Sequence, residues 1–386
     1  MDRENEEYDS CERGESEPMG TPVYVIDLRA SGKANLFDRL STLLAAAGID
    51  RVIAPNDLCA VKLHFGERGN HAFIRPIFIR RVVDEIRKRG GRPFLTDSCT
   101  LYPGERKEAV SALSCAIENG FAYAVVAAPL VMCDGLRGDS AVDLPVEGEI
   151  LSSVSIAQAI VEADALVCVN HFKCHELTGF GGAIKNLGMG CSSRRGKMQQ
   201  HSTVAPVVSA KRCTGCRICL RSCAHDAIVM VDGKAVIDPD RCVGCSRCIT
   251  ACPVAAIQIQ WNEAATLVMK KMAEYAKGAL RGKEGKAIFV SFITNVSPAC
   301  DCYGHADAPI VPDIGIAASL DPVALDQACA DMVNGAAGLS GTALASGHEP
   351  GGEKFRGVHP DIDWEVQLLH AEAIGIGSRR YELVRL

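Results

Sequence analysis

Eight of the nineteen cysteines lie between residues 213 and 252, in two runs of one spacing, Cys-x2-Cys-x2-Cys-x3-Cys. The first run is Cys213, Cys216, Cys219 and Cys223; the second is Cys242, Cys245, Cys248 and Cys252, closed by Pro253. Four thiolates hold an iron–sulfur cubane, and in the two-cluster form of this spacing the fourth cysteine of each run serves the other cluster. The spacing therefore predicts two [4Fe-4S] clusters with crossed ligands. One takes Cys213, Cys216, Cys219 and Cys252; the other takes Cys242, Cys245, Cys248 and Cys223. Structural zinc is the rival, but zinc sites favour pairs of ligands over two tandem triplets. Disulfides between cysteines this crowded would close short, strained loops. The chemistry expected here is single-electron transfer.

The two runs are offset by 29 residues, and the repeat continues beyond them, since Ala227–Ile228 corresponds to Ala256–Ile257. Between the halves, residues 228–237 alternate around Asp232–Gly233, a two-residue hairpin signal. Residues 209–262 thus read as a small α+β unit. It carries seven basic residues (Lys211, Arg212, Arg217, Arg221, Lys234, Arg241, Arg247) against four acidic ones. They are either a docking face for an acidic redox partner or plain charge balance.

Strand and helix patterns alternate on both sides of this unit. Strands are expected at Val23–Leu28, Ala60–Phe65, Arg92–Thr96, Ala165–Val169, Ala287–Ile293 and Tyr381–Leu386. Helices are expected at Ile74–Arg89, Glu105–Asn119, Leu151–Ala163, Glu263–Leu280 and from Asp321 through Met332, where Asp321–Pro322 is a helix start. The fold class is α/β: a mixed or parallel sheet with helices, residues 19–208 and 263–386, interrupted by the cysteine-rich insertion. Separate end-to-end domains are the alternative.

Polar residues gather where strands end, which is where ligands bind in α/β folds. Beyond Val169 come Asn170, His171, Lys173, Cys174, His175, Gly179, Gly181, Gly182, Lys185, Asn186 and Cys191. The glycines let the backbone approach a ligand, and a helix starting there would offer amides to an anion, helped by Lys173 and Lys185. Alternation puts Lys62 and His64 on one face of another strand end, with Glu67 just past it. Thr96–Asp97 and Tyr102 follow a third strand, and Arg195, Lys197 and His201 sit just ahead of the insertion. The candidate catalytic residues are Lys62, His64, His171, His175 and Lys185. The plain structural reading of each is a satisfied core or loop side chain. Cys300 and Cys302, with His305 and Asp307 beyond them, would add a further metal site if Cys174 or Cys191 joined them in space. Free buried cysteine is the bland reading of that pair.

Bulk properties narrow the function class. Residues 1–18 hold eight acidic and two basic side chains, which accounts for the net charge of −6. This tail has no apolar face and is expected to be disordered and solvated. An aromatic content of 5% argues against a base-stacking nucleic-acid platform. The cysteine usage suggests a reducing compartment, the first residues do not read as a signal peptide, and no apolar run is long enough to span a bilayer. The expectation is a cytoplasmic protein that binds neither nucleic acid nor membrane.

The cysteine unit resembles the bacterial two-cluster ferredoxin fold, departing from it at Ala224, where that family usually places proline. Together with KLHFGE (62–67), PFLTD (93–97), HFKCHELTGFGGAIKNLGMGC (171–191) and CDCYGHADAPIVPDIG (300–315), the chain resembles domain-of-unknown-function family 362 in its ferredoxin-bearing form. The resemblance implies an iron–sulfur electron-transfer protein and leaves the reaction of the α/β part open. Three functions follow as expectations. The clusters relay electrons to or from a partner protein or a ligand in the crevice. Alternatively, they feed a reductive enzyme acting on a small anion, or they only brace a binding module.

Overall fold

The computed structural model describes residues 20–102 and 104–386; the acidic tail lies outside the described residues. Eight strands form one sheet: β1 (Thr21–Ile26), β2 (Leu58–Lys62), β3 (Arg92–Asp97), β4 (Leu130–Met132), β5 (Ala165–His171), β6 (Ala287–Ile293), β7 (Gly315–Ser319) and β8 (Tyr381–Arg385). Their order is β8-β1-β7-β6-β5-β2-β3-β4. Only β7 runs against its neighbours, so the sheet is mostly parallel. Central strands of such a sheet are covered on both faces and read as continuous apolar runs. In β5 every residue is buried. Leu166 and Cys168 pack into one apolar layer, and Ala165, Val167 and Val169 into the other.

The pairing of β5 with β6 joins strands from either side of the insertion, Leu166 opposite Ala287 through His171 opposite Phe292. One layer is built on helices Ala265–Leu280, Pro322–Gly335 and Glu365–Ala373, the other on Leu36–Ala46 and Pro76–Lys88. Pro76–Lys88 buries Ile79, Val82, Val83 and Ile86, the i, i+3, i+4, i+7 stripe of an amphipathic helix. Asp321 caps Pro322–Gly335 as its sequence suggests, accepting from the amides of Val323 at 2.8 Å and Ala324 at 3.0 Å.

One element differs in kind from its sequence expectation. Leu151–Ala163 is not one helix: Ser153–Ala157 is a strand paired antiparallel with Ala141–Pro145, and only Gln158–Glu162 is helical. Val154 and Ile156 are fully buried on it, and a β-branched alternation suits a pleated surface better than a helix.

The cysteine-bearing segment folds as two short helices, Ile218–Ser222 and Arg247–Ala251, and a hairpin of Ile228–Val231 with Lys234–Ile237. Asp232 and Gly233 make its two-residue turn with φ of 48° and 75°, the left-handed pair that matches strand twist. Val207–Val208 pairs antiparallel with Ile257–Gln258, bringing the entry and exit of the segment side by side. The backbone repeats itself every 29 residues. Positive φ occurs at Gly215 and Gly244 (72° and 67°), Arg217 and Ser246 (62° and 56°), and Asp226 and Ala255 (48° and 47°). Left-handed backbone is costly for the four residues here that are not glycine, so the same turns are imposed twice for a common reason.

Candidate functional site

The carboxyl ends of β2, β3 and β5 and the loop after β6 open onto one cavity of about 570 Å³, also lined by His201, Trp261 and Val268 at and beside the ends of the cysteine unit. Lys62, His64, Asp97, Tyr102, His171, Lys173, His175, Lys185, Asn186, Lys197 and His201 all line it. The residues singled out at separate strand ends therefore meet in one place. Five lining side chains are Lys or Arg against two carboxylates, Asp97 and Glu176.

Much of this charge is locked into the wall. The ammonium of Lys62 is fully buried, 3.0 Å from Asp97 Oδ1, and donates to Asn186 Oδ1 at 2.7 Å. Arg106 is 3.4 Å from Asp97 Oδ2 and 3.3 Å from Glu67 Oε2, and donates to the Tyr102 hydroxyl at 3.0 Å. Burial alone would raise the Asp97 carboxyl, but Lys62, His64 and Arg106 outweigh it and hold the group down at about 2. Arg106 had no signal in the sequence, falling inside a stretch that reads as helix; the helix starts only at Ala109.

His171 is committed as well: Nδ1 is 2.8 Å from Asp301 Oδ1 and Nε2 is 2.9 Å from the Thr294 carbonyl. With both nitrogens facing acceptors, His171 braces the wall. Lys173 donates to the His171 carbonyl at 3.0 Å and stands 3.5 Å from the fully buried Asp301. His64 and His175 are different. The Gly66 amide donates to His64 Nδ1 at 2.9 Å, and the Leu177 amide donates to His175 Nδ1 at 3.1 Å. Each ring is thereby left with a proton on Nε2. Burial, then Arg106, pushes His64 down to about 3, so it is a neutral donor at pH 7. His201 is lowered to about 3 by burial, helped by His175 and Lys185, and its Nδ1 is buried without a partner. An orphaned polar atom at a cavity wall calls for a ligand or water.

The glycine loop does not bind as its sequence suggests. The amides of Ala183 and Ile184, which open the helix after Gly182, donate to Asp326 at 2.7 and 2.9 Å. A Cβ on Gly182 would collide with that carboxylate. An internal carboxylate already fills the place expected for an external anion. Arg195 points away, pairing with Asp143. Cys174 and Cys191 belong to the apolar core, and His305 and Asp307 are exposed. Beside Cys300 stands Lys185, whose Nζ donates to Cys300 Sγ at 3.2 Å, so a cation already faces that sulfur. Among the described residues no three His, Cys, Asp or Glu group as a site for one metal ion.

Two small cavities lie within the cysteine unit. One is lined by Cys213, Cys216, Cys219 and Cys252, the other by Cys223, Cys242, Cys245 and Cys248. Each draws three cysteines from one run and its fourth from the other. The Ala235 amide donates to Cys213 Sγ at 3.5 Å and the Ala256 amide to Cys252 Sγ at 3.2 Å. Burial, then the neighbouring thiolates of Cys245, Cys242 and Cys223, pushes Cys248 up to about 12, a crowding of negative charge with no basic side chain among its leading causes. Leu101 packs with Cys219 and Cys248 in the unit's apolar core and also lines the large cavity. Leu101 is thus shared by the two regions.

No helix among the described residues is long and apolar enough to cross a membrane. No curated protein matches the chain. Among solved structures it is similar to the lactate racemase apoprotein from Thermoanaerobacterium thermosaccharolyticum, with 13% identity and a TM-score of 0.36, over 72% of this chain and 51% of that one. It is also similar to a Thermotoga maritima protein, with 13% identity and a TM-score of 0.34, over 67% and 49%. The chain thus spans about half the length of each of these structures. The model of a domain of unknown function, DUF362, matches residues 59–331, and the chain belongs to that family.

Proposed function

We propose that this protein transfers electrons through two [4Fe-4S] clusters, held in a ferredoxin-like unit at residues 209–262, to or from a partner protein or a ligand in the cavity. The observation that carries the reading is the grouping of the eight cysteines, four around each of two hollows, three from one run and one from the other. That grouping suits cubanes, which need four thiolates each. Bound there, the clusters would supply single electrons at potentials tuned by burial and by amides donating to sulfur. Ala235 and Ala256 are such amides. Leu101 would lie on the path to the cavity, where His64 and His175 present Nε2–H groups and Lys185 and Lys197 supply positive charge.

The excess of cations in the cavity favours one second reading, a reductive enzyme acting on a small anion. In it, Lys62 and His171 position the wall, and His64 or His175 moves a proton at Nε2. Anaerobically purified protein should contain about eight iron atoms per chain and give a reduced-cluster paramagnetic signal with dithionite. Colourless protein containing zinc would overturn the cluster assignment. Intact clusters that dithionite cannot reduce would leave them a bracing role only.

A further inference from the structure

The relay leaves one pair of cysteines unused. Cys300 and Cys302 follow β6 in a loop whose geometry is fixed from both sides. The Tyr102 hydroxyl donates to the Cys302 carbonyl at 3.0 Å, and the Glu67 amide donates to the Asp301 carbonyl at 3.0 Å. Asp301, between the two cysteines, is buried on His171 and Lys173. Cys302 lines the cavity, whereas Cys300 is 1% exposed beneath it. The Cys302 amide donates to Cys300 Sγ at 3.4 Å, and Lys185 Nζ donates to the same sulfur at 3.2 Å. An ammonium against a buried sulfur stabilises the thiolate over the thiol. Contact with Cys302, the charge of Lys185 and the neighbouring His175 hold Cys300 well below the ordinary thiol range despite its burial, while Cys302 is raised well above it by Cys300, burial and Glu176, against the pull of Lys185. The pair is thereby biased toward a thiolate at Cys300 and a thiol at Cys302.

We propose that Cys300 and Cys302 form a dithiol–disulfide couple at the cavity wall, storing two electrons for a ligand bound there. The charging step rests on the electron relay proposed above. In that step the S–S bond breaks and two electrons enter, which the clusters would supply when bound. One proton is taken up at Cys302, and Cys300 remains a thiolate beside Lys185. Discharge suits an anionic organic disulfide. The Cys302 proton passes to Cys300 as the Cys302 sulfur attacks, and the first ligand thiolate leaves and takes that proton. Cys300 then attacks Cys302, closing the S–S bond and releasing the second ligand thiolate. The excess of basic side chains in the cavity favours a negatively charged ligand.

The test equilibrates anaerobic holoprotein in buffers of reduced and oxidised dithiothreitol, followed by acid quenching, alkylation and mass analysis of a fragment ending at Tyr303. The expected fragment is two hydrogens lighter and resists alkylation, in a fraction that rises with the oxidised reagent. Converted from the reagent ratio to a potential at each pH, its midpoint should move with pH half as steeply as in Lys185→Met, where the loss of the ammonium makes the uptake two protons. Equal slopes would overturn the thiolate–thiol arrangement. Full alkylation of both sulfurs at every ratio, with cluster absorbance intact, would overturn the couple. So would metal beyond the cluster iron that is lost on changing both cysteines to Ser. A disulfide that forms normally while the clusters take no electrons would support the couple and sink only the relay.

Discussion

Cysteines crowd together in two regions of this molecule, and their surroundings differ in what balances the negative charge. At the cavity, Cys300 has a lysine ammonium at 3.2 Å, and the loop that carries it is tied to three strand ends. In the 213–252 unit backbone amides donate to Cys213 and Cys252, Lys234 and Arg247 act only as minor attractions on Cys213 and Cys245, and crowding with burial pushes Cys248 up to about 12. The packing differs in the same direction. The sheet is sandwiched between two extensive apolar layers, whereas the small unit has a thin core that borrows Leu101 and Met198 from the host. A crowd of eight sulfurs, in a unit with little apolar surface of its own to bury, fits a fold that needs an inorganic core.

The sharpest way to break that contrast is to remove the proposed clusters. Chelation, or Cys219→Ser, should cost residues 209–262 their amide protection by about a thousandfold or more, the scale of metal-coupled folding, while β5 and β6 keep theirs. Hydrogen exchange read by mass spectrometry checks this, and loss of protection in the sheet at the same rate would end the distinction. Next in size, Lys62→Met leaves the buried Asp97 with Arg106 as its one close cationic partner and should cost about 3 kcal/mol in urea unfolding. Adding Asp97→Leu should restore part of that loss.

The same carboxylate gives the host an acid sensitivity. The Asp97 carboxyl is held at about 2 against an ordinary 3.8, so its folded-state value is depressed. Its stabilisation is therefore complete above the ordinary value and is lost as pH falls from about 4 toward 2, by about 2 kcal/mol. Urea midpoints of wild type and Lys62→Met across that window should converge at low pH. The smallest effect belongs to the junction. Arg247 pairs with Asp139 at a half-exposed site, and Arg247→Ala should change stability by less than about 1 kcal/mol. A larger loss would mean that surface charge, rather than Leu101 and the Val207–Val208 pairing, seats the unit on its host.

Local pattern made the strongest features legible. The cysteine spacing, the Asp232–Gly233 turn, the apolar run of β5 and the stripe of Pro76–Lys88 each follow from neighbouring residues. So did the idea that Lys62, Asp97, His175 and Lys185 meet, because strands pointing the same way bring their ends together. Long-range pairing was not legible. Apart from Ile316, Gly315–Ser319 is made of small residues with weak strand preference, and its position between β1 and β6 makes it a strand. Ser153–Ala157 reads as helix until Ala141–Pro145 is placed beside it. The helix start at Ala183 looks open to an anion because Asp326, its partner, lies over 140 residues away in the sequence. Arg106 and Asp301 acquire their roles only from carboxylates and bases on other strands.

The two-residue clasp of Val207–Val208 with Ile257–Gln258 has an architectural consequence. Because the clasp sets the two ends of the intervening segment side by side, that segment can be tested as a detachable cassette. Splicing a tight turn across the clasp would shorten the polypeptide by some fifty residues without stretching a single connection. The bared scaffold would then show which of its properties never needed electrons.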